Sequence, residues 1–233
     1  MRSKSPVIPH FGYARQGRRA HGREALAARL AADVIAVSGV DGVAAVDVHT
    51  RTMEGFFSVP FDHISAVPLL LGEVLHLGLP PDAVIVSPDL GAVKLAERFA
   101  KELDLPVAVV RKSRLSGAEV AVTGVTGNVR GRAPIIVDDM ISTGGTIRAA
   151  AEALLSAGAR DSVTVVATHG LFAGNALERL RGDWLDRVIV TDSVPQPAAA
   201  GLPLHVVSIA PLLADAIGRL ERRESLTGLI WYE

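Results

Sequence analysis

The residues best suited to chemistry lie in one run, Ile136-Val137-Asp138-Asp139-Met140-Ile141-Ser142-Thr143-Gly144-Gly145-Thr146. It passes from a β-branched apolar stretch, through two acids, to a Gly/Thr loop that opens a helical pattern. The first backbone N–H groups of a helix have no partner within it, and together with the helix dipole they attract anions. The hydroxyls of Ser142, Thr143 and Thr146 add donors, and Gly144 and Gly145 allow the backbone to approach closely. Asp138 and Asp139 can accept hydrogen bonds from sugar hydroxyls. The chemistry that suits such a string is recognition of a sugar phosphate, with a phosphate cradle beside paired acceptors.

Other polar groups stand where a parallel sheet would place them for a ligand. In open parallel sheets, ligands bind beyond the carboxyl ends of the strands. Asp47-Val48-His49 follows the apolar run 43–46, and Ser87-Pro88-Asp89 follows 83–86. Thr168-His169-Gly170 lies just beyond 163–166, and Thr191-Asp192-Ser193 beyond 188–190. Any one of these could simply cap a helix. Five such edges, counting Asp138-Asp139, are more than a fold alone requires.

The elements that must position these groups are legible. Runs 43–46, 83–86, 107–110, 134–137, 163–166 and 188–190 are β-branched and apolar without alternation. Such strands are buried on both faces, as in a parallel sheet. Between them, 23–37, 91–103 and 146–157 carry apolar residues at helical spacing, the last ending at Gly158 as a C-cap. Strand, helix and strand in alternation predict an α/β fold with right-handed crossovers. Gly78-Leu79-Pro80-Pro81 is the best linker, which divides the chain into residues 1–78 and 79–233. The polar, Gly-rich stretch 112–132 reads as a loop or a short β-flap. Before Gly78 there is room for only about two βα units, so this first domain is expected to be incomplete.

Composition narrows the class. The chain has 233 residues, 49% of them hydrophobic but only 4% aromatic, so Ala, Val and Leu must fill the core. Lys and Arg number 24 against 25 Asp and Glu, a net charge of -1, which argues against a protein held to nucleic acid by bulk charge. With no cysteine, thiolate metal sites and cysteine nucleophiles are excluded. Apolar runs such as 66–71 fall far short of the ~18 residues a membrane span needs. The expectation is a soluble cytoplasmic protein.

The phosphate-loop string resembles the phosphoribosyl-diphosphate loop of the type I phosphoribosyltransferase fold. Phe11-Gly12-Tyr13-Ala14-Arg15-Gln16, the stretch 47–62 with His49, Gly55-Phe56-Phe57 and Pro60, Ser87-Pro88-Asp89, and 167–172 are similar, in order, to ribose-phosphate pyrophosphokinases. The resemblance covers nearly the whole chain. It implies two phosphoribosyltransferase-like domains and the synthesis of phosphoribosyl diphosphate and AMP from ribose 5-phosphate and ATP with Mg2+. Ser142, Thr143, Gly144, Gly145 and Thr146 would hold the 5-phosphate, and Asp138 and Asp139 would face the ribose hydroxyls. His49 and Asp89 match metal-site positions, His49 acting partly through the ATP phosphates. Arg15 and Gln16 match ATP contacts. Lys112 and Arg114 match a mobile catalytic loop. Two residues apart in a strand-like loop they point the same way, which suits charge neutralisation during diphosphoryl transfer. No general base stands out.

The chain also departs from that pattern. The family's pattern has a segment before the Phe-Gly-Tyr motif, which carries an acidic loop reaching the adenine of a neighbouring subunit's ATP, and the first domain is expected to lack it. Gly17 stands for a usual Asp, Thr52 and Glu54 for usual Gln, Ser58 for a common Asp, Ala92 for a frequent Gly and Ser142 for a frequent Asp. The leading expectation is a ribose-phosphate diphosphokinase working as a homo-oligomer or with a partner subunit. One alternative is a non-catalytic subunit that binds ribose phosphates. The other is a transferase that consumes the diphosphate, against which the Phe11–Gln16 and His49 motifs speak.

Overall fold

The computed structural model describes residues 4–19, 22–116, 119–196 and 201–230; the side-chain surroundings of 112–123 lie outside that description. The chain forms two compact units: Met1–Val67 with Ser208–Glu233, and Pro68–Val207.

The first unit carries a three-stranded parallel sheet of β1 (Val7–Ile8), β2 (Val43–Val46) and β3 (Phe61–Ile64), in that order. All four residues of β2 are buried, as expected of a central strand. Helix α1 (Ala27–Val37) packs Ala28 and Ala32 into a core with Phe11, Val43, Met53 and Phe57. The Phe57 ring stacks on Phe61 with centroids 4.8 Å apart and meets Phe11 edge-on at 6.0 Å.

The unit boundary differs from the linker expected at Gly78. The end of the chain supplies helix α6 (Ala210–Arg222), which packs near β1. It also supplies a 3-10 turn at Thr227–Leu229, and the carbonyl of Leu229 accepts from the Ser65 N–H at 3.0 Å. A sheet this small has little apolar surface to bury, and these late elements add cover to it. Gly78 does take a left-handed backbone, φ +85°, but two residues beyond helix α2 (Val67–His76) and inside the second unit.

The second unit is a seven-stranded sheet. Its strands are β4 (Ala83–Ser87), β5 (Val107–Ser116), β6 (Glu119–Thr126), β7 (Ala133–Ile141), β8 (Val163–Gly170), β9 (Leu185–Thr191) and β10 (Leu204–Val207). The spatial order is β10-β9-β8-β7-β4-β5-β6; every pairing is parallel except β5 with β6. The stretch expected to be a loop or flap is thus an antiparallel β5–β6 hairpin at the sheet edge.

Helix α3 (Val93–Leu103) leads from β4 to β5, while α4 (Gly145–Ser156) leads from β7 to β8 in the opposite direction along the sheet. The chain therefore leaves adjacent strands β4 and β7 in opposite directions. That divergence opens a crevice at their carboxyl ends, the switch point at which parallel sheets bind ligands. Helix α4 ends as its sequence predicts: Gly158 takes φ +86°, its N–H bonds Leu155 O, and the Ala159 N–H bonds Leu154 O, a Schellman cap. A short helix, α5 (Ala176–Arg179), follows β8.

Candidate functional site

The crevice between β4 and β7 gathers the acids and the phosphate loop. β7 runs beyond the expected 134–137 to Ile141, so Asp138 and Asp139 belong to the strand itself, and Asp138 pairs with Ala167 of β8. Burial, first of all, holds the Asp138 carboxyl well above the usual carboxylate range, reinforced by the negative charges of Asp139 and Asp89. Part of the Asp138 residue reaches solvent, but protein atoms crowd its carboxyl. The Asp139 N–H donates to Asp138 Oδ1 at 2.9 Å. On the other side of the switch point, Asp89 Oδ1 accepts from the Gly91 N–H at 2.8 Å, and buried Ser87 donates its hydroxyl to the Asp89 carbonyl at 2.6 Å. The loop after β4 is thereby fixed, and Asp89 is close enough to raise the Asp138 pKa.

Directly after β7, residues 142–144 form the loop, and Gly145 and Thr146 begin α4. Gly144 has φ +72°, and a Cβ built on it would lie 3.3 Å from Cγ of Leu180. Both conditions select glycine. Among the described residues, none accepts a hydrogen bond from the N–H of Ser142, Thr143 or Gly144, and the hydroxyls of Ser142, Thr143 and Thr146 have no protein partner. Three backbone donors and three hydroxyls are thus unspent at a helix N-terminus, an arrangement able to bind a phosphate.

The remaining expected residues fall elsewhere. Lys112 and Arg114 lie in β5, their backbones opposite Val122 and Val120 of β6, and their side chains are outside the described part. A register shift separates Arg111 from Lys112, the kind of irregularity that re-aims a strand. Arg15 and Gln16 are exposed in a 3-10 turn, Ala14–Gln16, of the first unit. His49 is exposed in the bend after β2, also in the first unit. Asp89 belongs to the second. Among the described residues, no three His, Asp or Glu side chains group as a metal site.

Three of the five polar strand ends prove to be structural as well as polar. Asp47, at φ +37°, accepts from the Ser65 hydroxyl at 2.7 Å and the Ala66 N–H at 2.9 Å, which ties β2 to the start of α2. Thr168, His169, Thr191 and Ser193 are buried and bond one another. His169 Nδ1 lies 2.8 Å from Ser193 Oγ, and the Thr191 hydroxyl donates to the Thr168 carbonyl at 2.6 Å.

Sequence reasoning passed over Arg179. It lies at the end of α5 and donates from Nη1 to the Thr143 carbonyl at 3.0 Å. The two residues are 36 apart in sequence, and no motif or spacing connects them.

Comparison with known proteins shows the family. A family model described as the phosphoribosyl synthetase-associated domain matches residues 113–231, and the N-terminal domain of ribose phosphate pyrophosphokinase matches residues 2–39. A ribose-phosphate pyrophosphokinase of Streptomyces avermitilis is 42% identical over 231 residues, covering 98% of this chain and 71% of that protein. One from Gloeobacter violaceus is 42% identical over 230 residues, covering 98% and 69%. The crystal structure of a phosphoribosylpyrophosphate synthetase from Mycobacterium smegmatis superposes with a TM-score of 0.85 at 39% identity, over 94% of this chain and 72% of that one. With its switch-point acids, its unspent phosphate loop and this degree of identity along its length, the chain belongs to the ribose-phosphate pyrophosphokinase family.

Proposed function

We propose that the chain transfers the diphosphate of Mg-ATP to the 1-hydroxyl of ribose 5-phosphate, giving phosphoribosyl diphosphate and AMP. The observation that carries this reading is the phosphate loop at the switch point, with its donors unspent and Asp138 and Asp139 at its entrance. In this reading, Ser142 to Thr146 bind the 5-phosphate through N–H and hydroxyl donors. Asp138 and Asp139 accept from the ribose hydroxyls and hold the sugar so that its 1-hydroxyl faces the β-phosphorus of ATP. The bond formed joins that oxygen to the β-phosphorus; the bond broken joins the β-phosphorus to the oxygen bridging it to the α-phosphorus. AMP leaves with that oxygen, and the proton of the 1-hydroxyl passes to solvent.

Arg15 and Gln16 contact ATP, and Lys112 and Arg114 neutralise charge as it develops on the transferring group. The donor set fits Mg2+, a hard cation that takes carboxylate oxygens and retains waters. Asp89 and Asp138 stand close enough to repel one another, a repulsion that a cation relieves. Asp89 is the carboxylate that would hold it, with His49 acting through the ATP phosphates. When bound, Mg2+ neutralises the triphosphate and orients it.

Helix α1 leaves Leu30, Val34 and Val37 exposed on one face, which supports self-association. No helix among the described residues is long and apolar enough to cross a membrane. The proposed place of work is the cytoplasm, and the proposed partners are the two substrates and further copies of the chain. The test is AMP formation by the purified chain with Mg-ATP, with and without ribose 5-phosphate. AMP that appears only with the sugar phosphate supports the reading; binding of ribose 5-phosphate without AMP would favour the non-catalytic alternative.

A further inference from the structure

The chain after β8 holds the back of the phosphate loop. Three consecutive loop carbonyls are occupied from that side. Ile141 O accepts from the N–H groups of Leu171 at 2.9 Å and Phe172 at 3.1 Å, and Ser142 O accepts from the Ala173 N–H at 2.9 Å. Thr143 O accepts from Arg179 Nη1 at 3.0 Å. In a planar trans peptide, the C=O and the following N–H point in opposite directions. Occupying these carbonyls therefore turns the N–H groups of Ser142, Thr143 and Gly144 to the far side, where the described residues offer no acceptor. The cradle is aimed from behind.

The first two anchors are backbone groups, available whatever the side chains. The third is a single guanidinium, and it holds the peptide that needs holding most. The Thr143–Gly144 unit leads into two successive glycines, the first at φ +72°, where the backbone meets the least steric resistance to turning over. Arg179 is placed for this by α5, whose Ala176 and neighbouring Leu180 are buried against Gly144. An arginine suits the task because its charged, planar head donates strongly to a carbonyl.

We propose that Arg179 is a positioning residue for ribose 5-phosphate: by holding the Thr143 carbonyl, it keeps the Gly144 N–H aimed at the phosphate. This inference rests on the reading of the loop as the 5-phosphate site. The effect on function is read in phosphate binding and not in diphosphate transfer.

The test uses the full chain with Arg179→Met and Arg179→Lys. Calorimetry measures ribose 5-phosphate and inorganic phosphate affinity at low and high salt; kinetics separate KM from kcat; melting of the unliganded protein monitors the fold. The Arg179 hydrogen bond is solvent-exposed, and a bond of this kind is worth roughly two- to tenfold in an equilibrium. R179M is expected to weaken both ligands by about two- to tenfold, to the same extent at both salt concentrations. KM for ribose 5-phosphate should rise while KM for ATP and kcat at saturation stay near the parent's, and melting should remain a single cooperative transition, lowered only by the loss of one exposed hydrogen bond. R179K, which keeps one donor, should recover part of the loss. If the parent binds ribose 5-phosphate and R179M binds it equally well, the inference is overturned and the functional reading stands. A loss that disappears at high salt would also overturn it, because it would assign Arg179 a direct charge contact with the ligand. A parent that binds neither ligand overturns the inference and the reading together.

Discussion

Leu180 fills the space that a side chain on Gly144 would need: a Cβ there would sit 3.3 Å from Leu180 Cγ and 3.4 Å from the Ala176 carbonyl. The position is also left-handed, at φ +72°, which costs a residue with a side chain about 1–2 kcal/mol. Gly144→Val combines that strain with a branched group pressed on Leu180. The expected outcome is a folded protein with a lowered melting temperature and no measurable ribose 5-phosphate binding by calorimetry. Unchanged affinity would take the loop out of the site.

Asp138 gives a pH signature. Its folded pKa is raised, chiefly by burial and then by Asp139 and Asp89, while the unfolded chain titrates near the ordinary carboxyl value of 3.8. Between those two values the native state binds more protons than the unfolded state, so stability falls as pH rises through the window. Below 3.8 the group is protonated in both states and contributes no difference. Asp138→Asn should therefore leave thermal stability nearly unchanged in acid and increase it at neutral pH. The same variant should bind ribose 5-phosphate less well, since an amide offers a weaker acceptor. Melting curves from acid to neutral pH check the first part; equal stability of the two proteins at neutral pH would mean that the carboxyl is not strained by its surroundings.

Much of this was legible in the sequence, for a definite reason. Strands β2, β4, β7, β8 and β9 are central, and burial on both faces leaves uninterrupted Val, Ile and Ala runs. Edge strands carry no such mark. Phe61–Ile64 contains Asp62 and His63, and Leu204–Val207 is only partly buried, so neither reads as a strand in isolation. Helix α6 had a local signal in Pro211 at its first turn, but its return to the first unit is a tertiary fact. The phosphate loop was readable because its chemistry is contiguous. Arg179 was not, because a guanidinium bonding a carbonyl 36 residues away leaves no trace in spacing.

Lys112 tests the electrostatic part of the mechanism. It lies in β5, opposite Val122, on the hairpin that borders the sheet. If its charge acts mainly on the transition state, Lys112→Ala should lower kcat by roughly 10²–10³, as loss of an oxyanion donor does. The calorimetric affinity for ribose 5-phosphate should stay within about twofold of the parent's, since uniform binding is untouched. A variant with the parent's kcat would remove Lys112 from the catalytic assignment.

The central claim is that the two outer phosphates of ATP move together onto the sugar. Phosphorus NMR of the chain with Mg-ATP and ribose 5-phosphate follows this directly. The account predicts a diphosphate ester on the 1-position and AMP, rising in equal amounts and abolished by a chelator of Mg2+. ADP with a ribose bisphosphate would mean transfer of a single phosphoryl group, and ADP with inorganic phosphate would mean hydrolysis; either result would contradict the account.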